Sequence, residues 1–144
     1  MSGVHASLGV AVVVANAAAA AVGGAAWLRR EPSSAFWYVL RVAQAAVAVE
    51  AGLGVALLVG GADAPGGGLH LFYGISPLVV SVVCEGLRAG VAQAEVEAVE
   101  GDVEALDRRQ QVLLARRVVL REIGVMTVGS LLILTLTLRA AGIF

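Results

Sequence analysis

Lysine is absent from this chain: all ten cationic residues among its 144 are arginine. With the weight of alanine, valine and glycine, that points to a GC-rich genome, a property of codons and not of chemistry. Cysteine is nearly absent too. The single thiol, Cys84, cannot close a disulfide within the chain or build a zinc site, which removes disulfide exchange from consideration. Charged residues are scarce, at 15%, and they balance to a net charge of −1 with pI about 6.1, so no basic field recruits nucleic acid. Also missing are a nucleophile beside a base, a glycine-rich phosphate loop after a strand, and a carboxylate cluster facing a substrate position. The sequence therefore argues for a noncatalytic protein.

What is present is apolar. Hydrophobic residues make up 59% of the chain and mean hydropathy is +0.88, whereas a soluble domain is about half apolar and about a quarter charged. A chain this short cannot hide such an excess from water. The expected fold is all-α: a four-helix transmembrane bundle forming one integral membrane domain over residues 1–144. Its spans are about 4–28, 36–60, 69–87 and 118–138, each near the roughly 20 residues that cross hydrocarbon. The first span lacks a positive leader and exceeds the apolar core of a signal peptide, so it reads as a span.

Arginine sets the orientation, because short cytoplasmic loops carry the positive excess. Arg29 and Arg30 follow the first span, and Arg88, Arg108, Arg109, Arg116, Arg117 and Arg121 flank or fill the long connection at 89–117. The expectation is a bacterial plasma-membrane protein with both termini outside and that hairpin in the cytoplasm. Trp27, Phe36, Trp37 and Tyr38 would mark one interface, and Phe72, Tyr73 and Phe144 the other. Pro32 ends the first helix and Ser33 or Ser34 caps the second. Gly60-Gly61 and the Pro65-Gly66-Gly67-Gly68 run form a flexible outer loop.

The hairpin runs from acidic (Glu95, Glu97, Glu100, Asp102, Glu104, Asp107) to basic. Val96, Val99, Val103, Leu106, Gln110 and Leu113 recur at steps of three and four. With Gly101 as a break, the segment is either a helical extension of the third and fourth spans or a helix lying on the headgroups. Its stripe serves either its own packing or a docked partner.

Small residues supply packing where lipid gives none. Ala15, Ala19 and Gly23, then Ala48, Gly52 and Ala56, then Gly86 and Gly90, form faces for contact within the chain or between copies. Asn16 and Gln44 are expected to point inward as interhelical glue. Glu50 is the costliest residue, a carboxyl well inside the second span. It is either structural, held protonated or hydrogen-bonded, or a proton- or ligand-handling group. Arg41, Glu85, Arg88, Arg121 and Glu122 share one depth and are expected to pair as a ring that fixes helix register.

The two histidines, His5 and His70, each start a span that runs inward, so they share the outer level. Facing imidazoles could ligate a haem iron or a metal. Tyr73 lies one turn after His70 on the same face, and Pro77 would free the Tyr73 carbonyl and kink the span. His70, Tyr73, His5 and Glu50 are thus the candidate haem- or quinone-binding residues. Read in order, Gln44, Gly52, Gly54, Gly60-Gly61, Leu69-His70 and Gly74 resemble a helix pair in one half of haem A synthase, over roughly residues 44–87. That resemblance implies a four-helix membrane bundle with haem, here haem b, ligated by histidines on paired helices. Only His70 is carried over, and the fourth span has no histidine, so a second axial ligand would be His5 or another group. The whole chain also resembles small four-span membrane proteins of actinobacteria, a likeness that implies no activity.

Three functions follow. The leading one is a noncatalytic accessory or assembly subunit of a larger membrane complex or homo-oligomer, its hairpin the contact surface. The second is a haem- or quinone-binding bundle, and the third a transporter or channel coupling protons through Glu50.

Overall fold

The computed structural model describes residues 2–63, 67–99 and 103–143. Pro65, Gly66, Glu100, Gly101, Asp102 and Phe144, named above, lie outside the described residues. Among those residues the chain forms four α-helices: α1 (Ser2–Arg29), α2 (Ser34–Val59), α3 (Gly68–Glu97) and α4 (Arg108–Ala140). One short 3-10 turn stands at Val103–Ala105, and no strand occurs. All four helices are long and apolar enough to cross a membrane.

Their ends are written in the sequence. The Ser33 side chain accepts from the Phe36 amide at 3.3 Å and starts α2. Asp107 and Gln110 exchange side chain and backbone bonds at 2.8 and 3.0 Å, a reciprocal cap that opens α4. The third and fourth spans are longer than the apolar count implies, because polar residues continue them. Most of the segment 89–117 is therefore helical extension of α3 and α4, and not a separate helix. α3 runs through Pro77 without interruption.

α4 is the central helix. It packs extensively on α3 and on α1, α1 also packs on α2, and the α2–α3 seam is sparse. The α1 side of the core is a heptad-like stripe, Val12, Asn16, Ala19, Gly23 and Ala26, all buried. Phe36, Leu40, Cys84, Ile123 and Met126 close around its Ala26 end. Where helices meet, side chains are missing by design of the sequence. A Cβ at Gly23 would run into Thr127 and the Phe36 ring, one at Gly129 would lie 2.6 Å from Cys84 Sγ, and one at Gly124 would lie 3.0 Å from the Trp27 ring.

Two of the three small-residue faces are turned away from this core. Ala48, Gly52 and Ala56 are exposed on α2, and Gly86 and Gly90 have nothing within 4 Å of an added Cβ. They hold nothing within the chain. Asn16 also corrects its expectation: it is buried, but its amide donates to the Val12 carbonyl of its own helix at 2.9 Å. Outward positions such as Val14, Val49, Val82 and Leu131 are apolar and exposed, the inverse of a water-soluble surface.

Candidate functional site

The sparse seam between α2 and α3 is pinned at one end and open at the other. At the pinned end Glu85 on α3 is the hub. Its Oε1 accepts from Arg41 at 2.6 Å and from Gln44 at 2.8 Å, both on α2. Its Oε2 accepts from Arg88 at 2.9 Å, and Arg88 reaches on to Glu122 of α4 at 3.2 Å. The Arg88 guanidinium also lies 5.5 Å from the centre of the Trp37 ring. Four of the five expected ring members thus join in one network. Arg121 does not: it pairs at 2.7 Å with Glu95, a buried carboxylate further along α3. The ring expectation missed Glu95 because that residue sits among exposed hairpin acids in sequence and only the folding of α3 against α4 buries it.

The open end is a cleft of about 1160 Å³ between the start of α1, the end of α2, the start of α3 and the end of α4. Val12, Val47, Leu58, Leu71 and Ile75 are among its apolar walls, and its polar lining includes His5, Glu50, His70 and Tyr73 together with Asp63, Thr137 and Arg139. All four candidate site residues are therefore brought to one cavity. Glu50 lies nine residues before the end of α2 at Val59 but only one turn inside the start of α1, because α2 overshoots its neighbour. Its Oε1 stands 3.0 Å from His5 Nδ1, without the alignment of a hydrogen bond. His5 Nδ1 and Glu50 Oε2 are both buried and unpartnered by hydrogen bonds.

Two glycines border this approach, tightly at Gly9 and with ordinary contact at Gly54. A Cβ at Gly9 would come within 3.3 Å of Glu50 Oε1, and one at Gly54 within 3.6 Å of His5 Cε1. Gly9 escaped the sequence reading, although it lies one turn after His5 on the same face. His70 faces His5 across the cleft, their ring centroids 6.0 Å apart and their planes at 74°. Its Nδ1 is 3.3 Å from the Ala140 carbonyl at the end of α4, which favours a proton on Nδ1 and leaves Nε2 as the free lone pair. Tyr73 is at the rim, its ring 5.9 Å from the Arg139 guanidinium. Gln44, grouped with His70 by resemblance, belongs to the pinned end and does not reach the cleft.

Among the described residues no group of three or more His, Cys, Asp or Glu side chains is placed to hold a metal ion. The histidine pair alone offers two nitrogen ligands. No family model, curated protein or solved structure matches the chain.

Proposed function

We propose that this chain is a noncatalytic membrane protein that binds one haem b in the cleft, with His5 and His70 as its axial ligands. The observation that carries the reading is the spacing of the two rings. The two imidazoles come from different helices and face one another with centroids 6.0 Å apart, so an iron bound in the cleft would be within reach of both side chains. A porphyrin brings four nitrogens of its own, so two protein ligands suffice where a bare ion would need more. His70 Nδ1 donates to the Ala140 carbonyl, a contact of the kind that orients a ligating histidine and leaves its Nε2 free. Glu50 Oε1 stands 3.0 Å from His5 Nδ1, the Ala140 carbonyl holds the His70 ring, and apolar side chains make up much of the wall around the pair. Bound there, haem would supply a one-electron couple, suited to a carrier or accessory subunit of a larger membrane complex.

The test is an optical spectrum of protein expressed with ample haem and extracted in mild detergent. A Soret band with low-spin features is expected, and His70→Ala and His5→Ala should each lower haem retention about tenfold or more. A colourless wild-type protein, or a quinone extracted from it in stoichiometric amount, would overturn the assignment.

Arginine placement supports the orientation. The end carrying Arg29, Arg30, Arg116, Arg117 and Arg121 is assigned to the cytoplasm, and the cleft to the outer leaflet. In intact cells a membrane-impermeant maleimide is expected to label Asp63→Cys and to spare Gln111→Cys. The native Cys84 is buried and gives little background. The reverse labelling pattern would invert the topology.

A further inference from the structure

The arginine-rich end carries a second concavity, of about 680 Å³, between the turn that follows α1 and the extensions of α3 and α4. Val99, Leu106, Leu113 and Leu114 give it an apolar floor, and Arg30, Arg116 and Arg117 a cationic rim. Arg117 leans on Glu95 at 3.8 Å, but the shorter bond to that carboxylate comes from Arg121. Arg30 and Arg116 form no ion pair among the described residues. The Arg116 guanidinium instead donates to the backbone carbonyl of Arg30 at 2.8 Å, tying the two residues together. Glu95 also lines the concavity, but its carboxylate is taken by Arg121 and Arg117, so among the described residues Arg30 and Arg116 are two like charges at one mouth without an ion pair.

The backbone singles out Arg30 independently. Three helices end in the same double hydrogen-bonded motif. After α2, the Gly61 and Ala62 amides bond to Leu58 and Leu57; after α4, those of Gly142 and Ile143 bond to Arg139 and Leu138. After α1, those of Arg30 and Glu31 bond to Trp27 and Ala26. The motif requires a left-handed residue, and glycine is the usual one. Gly61 (φ 83°) and Gly142 (φ 71°) fill that place in α2 and α4, whereas in α1 it falls to Arg30 (φ 55°), the single non-glycine with positive φ among the described residues. An arginine strained where this chain twice uses glycine marks its side chain as the reason for its presence. Trp27, three residues before Arg30, lies against Gly124, and Trp37 lies under Arg88, aromatics of the kind found at a headgroup boundary.

We infer that this concavity is a binding site for the headgroup of an anionic phospholipid. Arg30 and Arg116 take the phosphodiester at the edge of the concavity nearest the spans, the polar headgroup reaches into the concavity, and the acyl chains run the other way, along the spans into the bilayer. Basic pockets between membrane helices on the cytoplasmic side recognise lipids in this way. The assignment depends on the helices crossing a bilayer and is independent of the haem reading.

The test titrates phosphatidylglycerol into the protein in a neutral detergent and follows the thermal unfolding midpoint. The midpoint is expected to rise with phosphatidylglycerol and to stay unchanged with phosphatidylcholine. Arg30→Gln and Arg116→Gln should each weaken the apparent affinity about fivefold, and Arg108→Gln, outside the mouth, should not. Arg30→Gly separates recognition from folding: without lipid its midpoint should rise, because glycine relieves the left-handed strain, while its affinity for phosphatidylglycerol falls. The site is refuted by an equal response to phosphatidylcholine, by full affinity in the Arg30→Gln, Arg116→Gln double variant, or by an equal loss in Arg108→Gln. Inorganic phosphate that alone reproduces the shift would also refute it, since the lipid would then be irrelevant.

Discussion

Replacing Gly23 by alanine is expected to destabilise the bundle by about 1–3 kcal/mol, although glycine to alanine inside an ordinary helix stabilises it by roughly 0.5–1 kcal/mol. The reversal of sign comes from what the new methyl group meets. Position 23 faces Thr127 and the Phe36 ring, and those side chains are 3% and 0% exposed, so neither has free space to move into. Overpacking at such a contact has to push α1 away from α4, which opens the stripe from Val12 to Ala26 along its length. Gly86→Ala is the matched control, since an added Cβ there meets nothing within 4 Å. Thermal unfolding in mild detergent, followed by circular dichroism, should place Gly23→Ala well below the wild type and Gly86→Ala at or slightly above it. Equal midpoints for the two variants would show that α1 and α4 are not in close contact.

The second large effect is expected at Glu85. Glu85→Gln keeps the volume but removes the negative charge between Arg41 and Arg88, leaving Glu122 as the one carboxylate of the network. Breaking a fully buried ion pair costs about 3–5 kcal/mol. Arg41 is more than half exposed and Glu85 is 29% exposed, so solvent screening reduces this to about 2 kcal/mol. Because Glu85 carries the polar link from α3 to α2, the loss should appear as a separation of these two helices, with α1 and α4 still packed. A double-mutant cycle with Arg41→Gln should return a coupling of about 1 kcal/mol. Additive single effects would mean that Arg41 and Glu85 do not act on one another.

Much of this was legible from the residues. Four helices follow from hydropathy, Ser33 marks the start of α2, and the charge ring was visible as opposite signs at one depth. The histidine pair was legible because both residues start helices that run in the same direction. Other features were hidden for physical reasons. Glu50 reads as a mid-span charge until α2 is seen to overshoot α1 and bring it beside His5. Asn16 reads as glue between helices, but an amide one turn from a helical carbonyl can satisfy itself locally. Ala48, Gly52 and Ala56 show the same spacing as Ala15, Ala19 and Gly23, and spacing cannot say which face a neighbour occupies. Gly124 and Gly129, which let α4 approach Trp27 and Cys84, carry no signal without knowledge of what lies opposite.

The interface between α1 and α4 has a consequence for assembly. During synthesis the first three helices are made before α4 exists, and two of the contacts that define the core, Gly23 with Thr127 and Trp27 with Gly124, wait on it. Until then α1 and α2 have each other, while α3 has little more than the Glu85 link to hold it. Native pairing between the first helix and the fourth is long-range in the chain, the kind of contact that forms slowly. Closure of the bundle is therefore a single late event, and an early chain terminated before α4 would present the quality-control machinery with a helical hairpin and an unattached third span.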